Sequence, residues 1–474
     1  MKINKICRNL GLKSVGFNHE VLYITDDSRD VIHNTIFFAI KGNNIDGHKK
    51  IDEAIKNGAT TIVLENKANE IEGINYIYCN NSKRLLSQFL RIYYSKILKE
   101  LKIIGVIGTN GKTTTSTLIH KYLQFSNKRS LLIGSNGALA DNFYHKHSNT
   151  TPKACELYTY FNYAYQNRLE YVVMEVSSIA ISELRVFDIP FNTLIFTNFN
   201  EDHLDYHKTI DNYFNSKAIP FYKLKAKDYA VINVDDLKSS ELIKYLNSKI
   251  LTYSINNTST IQAKDITSSE NGIEFNLSSY RVKSNLIGEF NVYNILPLFA
   301  VAKIYKLSFF KVLLFLRNFK QVDGRMNLIN FDNNLVIIDY AHTESAVKNA
   351  ILEAKKLRGG RLYVVIGCGG NRQKDKRFKI GNLLDEIACD VILTNDNPRY
   401  ERPMDIINDI KSGMTKEPTI IENRKEAIYH GLSKLEENDI LLILGKGCED
   451  YIEINGHFEE YSDYKIIYDF LNKN

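Results

Sequence analysis

The sequence predicts an α/β protein of three domains, with a central P-loop parallel sheet and a doubly wound C-terminal domain. Three observations carry that reading. A chain of 474 residues is longer than one ordinary core supports, and domains of about 100–200 residues imply three of them. The apolar run Ile103–Ile107 meets a glycine-rich turn and passes at once into a helical pattern from Lys112, the strand–loop–helix order that opens a parallel sheet. After Gln321 a fresh series of apolar runs begins, which calls for a second large sheet.

Taken in order, residues 1–98 read as a small α/β unit. Apolar runs Thr35–Ile40 and Thr60–Leu64 serve as strands, and Ile51–Asn57 as a helix. The polar stretch Tyr94–Lys102 marks a change of character, and the second domain is placed at 99–320. Its sheet continues through Tyr171–Val176, Thr193–Thr197 and Tyr229–Asn233, each separated by segments of helical length. The third domain, 321–474, is built on Leu335–Asp339, Arg361–Gly367, Asp390–Thr394 and Asp439–Leu444, a series of doubly wound type. No internal repeat or low-complexity tract interrupts it.

Composition excludes several classes. Hydrophobic residues make up 44% and charged residues 24%, a globular balance and not a disordered one. The net charge of +6, from 61 basic and 55 acidic side chains, is too thin to argue for nucleic acid and suits anionic small molecules equally. Cys7, Cys79, Cys155, Cys368, Cys389 and Cys448 lie far apart with no CxxC pair, a pattern of reduced thiols. With no signal-like N-terminus and no run of ~18 apolar residues, a cytoplasmic, non-membrane protein acting as a monomer is expected.

Three clusters carry chemistry. Gly108-Thr109-Asn110-Gly111-Lys112-Thr113-Thr114 sits where a phosphate cradle belongs. Its backbone N–H groups and helix N-terminus face an anion, Lys112 adds a point charge, and the Thr113 hydroxyl is a Mg²⁺ ligand. Glu175 ends a strand at the sheet edge that holds ligands and is placed to hold Mg²⁺ against ATP phosphates. Asn198 through His207, with His203 among three acids, and then Lys217 form a dense polar stretch suited to metal or substrate.

Together these stretches resemble the Mur ligase family, from near Ser28 to near Asp463. GTNGKTT, EVSS, TNFNEDHLDYH and DYAH occur in the family's order. The resemblance narrows to the branch that adds an amino acid to a UDP-N-acetylmuramoyl-dipeptide. It implies uridine contact at Ser28, and precursor contacts at Asn149, Thr150, Thr151, Ser177, Glu183 and Arg185. Thr150–Thr151 also reads locally as a helix cap before Pro152. The resemblance further implies ATP contacts at Asn291, Asn294, Arg325, Asp339 and His342, and a carbamylated Lys217. Lys112, Glu175, His203 and Lys217 are the implied catalytic group, and Thr113, Glu175, His203 and Lys217 the Mg²⁺ ligands.

Asp396-Asn397-Pro398-Arg399 resembles the family's meso-diaminopimelate motif, with Arg372, Gly445 and Glu449 completing the pocket. Lysine, lacking a distal carboxylate, would leave Arg399 unpaired at a cost of several kcal/mol. Ile179, Glu183, Asn371, Gln373 and Cys448 depart from the family's common residues. The reaction implied is ATP-dependent acyl-phosphate ligation of a diamino diacid, diaminopimelate or lanthionine. Lysine addition, folylpolyglutamate synthesis and a non-catalytic ATP-binding sensor are the competing readings.

Overall fold

The structure is a computed structural model that describes residues 1–42, 45–388 and 390–472; Cys389 lies outside them. The other cysteines are free thiols.

The N-terminal sheet is parallel throughout, with Tyr23–Thr25, Thr35–Phe38, Ala59–Leu64 and Asn75–Tyr78 side by side in chain order. Phe37, Ile62 and Leu64 bury one face. Ile36, Phe38 and Val63 bury the other beneath Phe89 of helix Ser82–Tyr93, in a core continuous with the central sheet. The stretch Tyr94–Lys102 is not a polar break, because Ser95–Glu100 is helical and buries Leu98. A six-residue helix with Ile97 and Leu98 as its apolar contacts leaves little periodicity to read.

The central sheet has eleven strands. Its middle is parallel, in the spatial order Lys249–Ser254, Tyr229–Asn233, Thr193–Phe196, Lys102–Ile107, Tyr171–Glu175 and Ser130–Gly134. The first of these strands in the chain, Lys102–Ile107, lies inside the sheet, and the connections depart from it to both sides. That is a switch point, where open sheets leave a crevice at the carboxyl ends of their strands. Antiparallel strands Gly137–Ala140 and Phe143–His145 extend one edge; at the other, Ile261–Ser269 pairs parallel with Lys249–Ser254 and is followed by the antiparallel Gly272–Leu277 and Tyr280–Ser284. Helix Lys112–Phe125 packs against one face together with helix Phe290–Ile304.

The C-terminal sheet has six strands where the sequence showed four. Asn327–Phe331 is an antiparallel edge, followed by Asn334–Asp339, Ile440–Leu444, Leu362–Ile366, Asp390–Leu393 and Thr419–Ile420. Helices Glu344–Leu357, Asp375–Ile387 and Pro403–Lys411 cover one face. Arg424–Ser433 and Asp463–Leu471 cover the other, so the domain is doubly wound. A hairpin, Tyr451–Ile454 with His457–Glu460, stands beside it. Among the described residues no helix is long and apolar enough to cross a membrane.

Candidate active site

The loop after Lys102–Ile107 is fixed by backbone and side-chain bonds to the segment after Thr193–Phe196. Thr109 N donates to the Asn198 carbonyl at 2.9 Å, Asn110 N to Asn198 Oδ1 at 2.9 Å and Thr197 Oγ1 to the Asn110 carbonyl at 2.7 Å. Gly111 has φ +81°, and a Cβ there would run into the Asn294 amide, so the loop needs glycine at that point. Lys112 Nζ folds back onto the carbonyls of Gly108 and Thr109 at 3.0 and 2.8 Å. Burial lowers its pKa, with Glu175 and Asp202 opposing. Lys217, in helix Ile210–Tyr222, reaches the same Gly108 carbonyl at 2.6 Å. Burial, reinforced by Lys112, holds its amine far below the ordinary lysine range.

Glu175 is buried at the strand end. Thr113 Oγ1 donates to its Oε2 at 3.0 Å and Ser135 N to its Oε1 at 2.8 Å. Arg325, from the start of the C-terminal domain, donates Nη2 to the same Thr113 hydroxyl at 3.1 Å and lies 4.5 Å over the Tyr340 ring. Asp339 accepts from the N–H groups of Met326 and Ala341 at 2.8 and 2.7 Å; burial raises its pKa, Arg325 opposing. His342 bonds the Tyr340 carbonyl through Nδ1 at 2.8 Å, and burial with Lys376 holds its pKa near 4, so the ring is neutral at physiological pH.

A single cleft of about 560 Å³ joins these groups to the C-terminal sheet. Thr109 to Thr114, Glu175, His203, Asn294, Arg325, Asp339 and His342 line one end, and Arg372, Asp396, Asn397, Arg399, Gly445 and Glu449 the other. At that second end several of the charges are already paired. Lys446, fully buried, donates to Asn397 Oδ1 at 3.1 Å and Glu449 Oε2 at 3.2 Å, with Asp396 at 3.8 Å. Asn397 Nδ2 reaches Glu449 Oε2 at 2.9 Å and Tyr340 Oη reaches Oε1 at 3.1 Å. Gly445 has φ +110°, and a Cβ would meet Asp396 Oδ2 at 2.5 Å.

Residues 20–94 match the Mur ligase family, catalytic domain; 106–302 the Mur ligase middle domain; and 324–447 the Mur ligase glutamate ligase domain. A relative from Clostridium tetani named UDP-N-acetylmuramoyl-L-alanyl-D-glutamate--2,6-diaminopimelate ligase is 35% identical, covering 97% of this chain and 98% of its own. The chain belongs to the Mur ligase family. A Fusobacterium nucleatum protein of the same name is also 35% identical, over 93% of this chain and 92% of its own. A solved structure so named aligns at TM-score 0.71 and 29% identity over 100% of this chain and 99% of that one. A MurF ligase from Thermotoga maritima in complex with ADP shares the fold at TM-score 0.66 and 18% identity, over 95% of this chain and 97% of that one. By its family this Mur ligase is an ATP-dependent ligase.

Several expected site residues stand outside the cleft wall. Asn291 is spent internally, donating to the Ile287 carbonyl at 2.6 Å and accepting from Asn294 at 2.7 Å. Gly108 offers its carbonyl to the two lysines, and Pro398 packs its carbonyl over Gly370. Ser28 is buried against Glu53 at 3.0 Å in the N-terminal sheet. Thr151 is a structural hub, not a helix cap: its hydroxyl donates to the Glu175 carbonyl at 2.9 Å, its own carbonyl accepts from Arg185 at 3.0 Å, and the helix begins only at Ala154. Ser177 N donates to the Thr151 hydroxyl at 3.0 Å. Asn149 meets Ser148 at 3.2 Å, whereas Thr150, which does line the cleft, meets Ser135 at 3.2 Å. Glu183 pairs with Lys83 of the N-terminal unit and accepts from Tyr206 at 2.8 Å.

The Mur ligase cleft also corrects one argument. Arg399 is not a cation waiting for a partner, since Glu453 Oε2 pairs with its Nε at 2.9 Å. Glu453 and Lys446 were missed; Lys446 carried only its place in the Gly445–Glu449 box as a signal, and Glu453 none. Arg377, buried between Glu401 at 2.8 Å and Asp409 at 2.9 Å, supports the loop that carries Arg372. Among the described residues no three His, Cys, Asp or Glu side chains gather as a metal cage. The Thr113 hydroxyl and Glu175 carboxylate are hard oxygen donors at one spot, a set that fits Mg²⁺ shared with nucleotide phosphates.

Proposed function

We propose that this Mur ligase joins meso-diaminopimelate, or a close diamino diacid such as lanthionine, to UDP-N-acetylmuramoyl-L-alanyl-D-glutamate for peptidoglycan synthesis. The observation that carries the reading is the continuous cleft, with a phosphate loop at one end and Asn397, Arg399 and Glu449 at the other. The names of the relatives at 35% identity support the substrate.

In this reading the D-glutamyl γ-carboxylate attacks the γ-phosphate of ATP, giving an acyl phosphate and ADP. Lys112 leaves its carbonyl contacts to offset charge on the transferring group, joined by Arg325. Mg²⁺, held by Thr113 and Glu175 with His203 nearby, would neutralise the phosphates. Lys217, whose burial favours the neutral amine, is suited to add CO₂ and release a proton, becoming an anionic oxygen donor. Asn294, Asp339 and His342 border the nucleotide, and Ser28, Asn149, Thr150, Thr151, Ser177, Glu183 and Arg185 serve the precursor. The incoming amine, oriented by Arg372, Asp396, Asn397, Arg399, Gly445 and Glu449, then attacks the acyl carbon and displaces phosphate. Closure of the C-terminal domain over the central one keeps water from the acyl phosphate.

We assign 1–98 to the uridine nucleotide, 99–320 to ATP and ligation and 321–474 to the amino acid, in a cytoplasmic monomer. Phosphate release, assayed with the UDP-dipeptide across meso-diaminopimelate, lanthionine and lysine, tests the assignment. Turnover on the diacids is expected, and a clear preference for lysine would replace the substrate. Phosphate release that is no greater with the precursor and amino acid than with ATP alone would favour a sensor.

A further inference from the structure

Glu453 lies 54 residues beyond Arg399, on the hairpin strand Tyr451–Ile454. The chain is stitched so that the two meet. Arg399 N donates to the Glu453 carbonyl at 3.0 Å, Asn455 N to the Arg399 carbonyl at 2.7 Å, and Arg399 forms a parallel bridge with Ile454. Arg399 is held at φ +53°, a left-handed conformation that a long side chain adopts only under constraint. Its Nη1 donates to the Gly370 carbonyl at 2.7 Å and its Nε to Glu453 Oε2 at 2.9 Å. Neither N–H of Nη2 has a bond among the described residues, and Arg399 lines the cleft whereas Glu453 does not. Glu453 therefore stands outside the cleft wall to which Arg399 belongs, and the Nη2 donors are left over for a ligand of that pocket. Both side chains are about four-fifths buried, at 19% and 20% exposure, so their charges act on each other with little screening.

We propose that Glu453 is a specificity-determining residue of this ligase, resting on the diamino-diacid reading of the same pocket. A buried guanidinium without a carboxylate would penalise any amino acid lacking a distal carboxylate, because the cation would be stranded. With Glu453 in place, Arg399 is compensated whether or not the substrate brings a second carboxylate. A diacid gains the Nη2 contact, and lysine forfeits that contact without stranding a charge. The pair flattens the discrimination that Arg399 would impose alone and places this ligase nearer to tolerating lysine-like amines.

Glu453→Gln isolates the charge, since the amide oxygen still accepts from Nε. The ratio of kcat/KM for meso-diaminopimelate over lysine is expected to rise roughly tenfold, a change of about 1.4 kcal/mol, with KM for ATP unchanged. Glu453→Asp, which retains the charge, is expected to stay near the wild-type ratio. In an Arg399→Ala background, Glu453→Gln is expected to leave the ratio where it was. A ratio that stays constant or falls in Glu453→Gln, or that rises equally without Arg399, overturns the proposal. A wild-type enzyme that ligates no diamino diacid refutes the substrate reading first, and the inference with it, before any variant is made.

Discussion

Lys217 and Lys446 are both buried lysines beside the same cleft, and the structure treats them in opposite ways. Lys217 meets a carbonyl, the Tyr213 ring at 4.5 Å and the like charge of Lys112, with no carboxylate in ion-pair contact among the described residues. Lys446 meets two carboxylates and an amide oxygen. Burial alone does not decide whether an amine carries charge; the partner set does. The phosphate end keeps its lysines uncompensated where an anionic substrate will arrive. The amino-acid end is compensated internally and reads a substrate that is itself zwitterionic.

The same substitution should therefore have opposite effects on stability at the two sites. Lys446→Met leaves Asp396 and Glu449 buried without their cation, and a loss of about 3–5 kcal/mol is expected in denaturant unfolding. A neutral outcome would mean that the two carboxylates share a proton and need no counter-ion. Lys112→Ala is expected to cut turnover roughly 10²–10³-fold while the unfolding midpoint stays near wild type; near-normal phosphate release would remove the lysine from the phosphate site.

Lys217→Met has a smaller effect on stability than Lys446→Met and is the most diagnostic of the three. The folded pKa of Lys217 is depressed, so between it and the unfolded value near 10.4 the unfolded chain holds a proton that the folded one lacks. Wild-type stability therefore rises with pH through that window, and methionine has no such dependence. In CO₂-free buffer Lys217→Met should be more stable than wild type at pH 7, with the advantage shrinking towards pH 10. Its turnover should be lost. A variant that is less stable at pH 7 would show Lys217 to be charged and paired in the folded state.

Much of the architecture could be read from the sequence because the buried parallel strands are uninterrupted apolar runs. Ile103–Ile107, Leu335–Asp339 and the loop at Gly108–Thr114 sit within a residue of where the pattern places them. The antiparallel extensions escaped notice for a physical reason. Strands such as Phe143–His145 are short and half-exposed, and their residues alternate too briefly to register. In the amino-acid pocket the motif residues were legible one by one, but their mutual compensation was not. Asn397, Glu449 and Glu453 come together only through the hairpin beyond Leu444, a pairing that sequence separation conceals.

The eleven-stranded sheet has one further consequence, for self-association. Its two outer strands carry unpaired backbone amides of the kind on which another chain can add as a further strand. Tyr280–Ser284 is protected by charge, with Arg281 and Lys283 paired to Glu274 on the neighbouring strand at 3.2 and 2.7 Å, and by Phe309 of helix Phe309–Asn318, which packs 5.0 Å from Tyr280. Phe143–His145 spans three residues and turns Phe143 inward to stack on Tyr163 at 4.0 Å. Neither border presents the long, flat, apolar row that templated growth requires, so a sheet this wide can stay soluble at its margins.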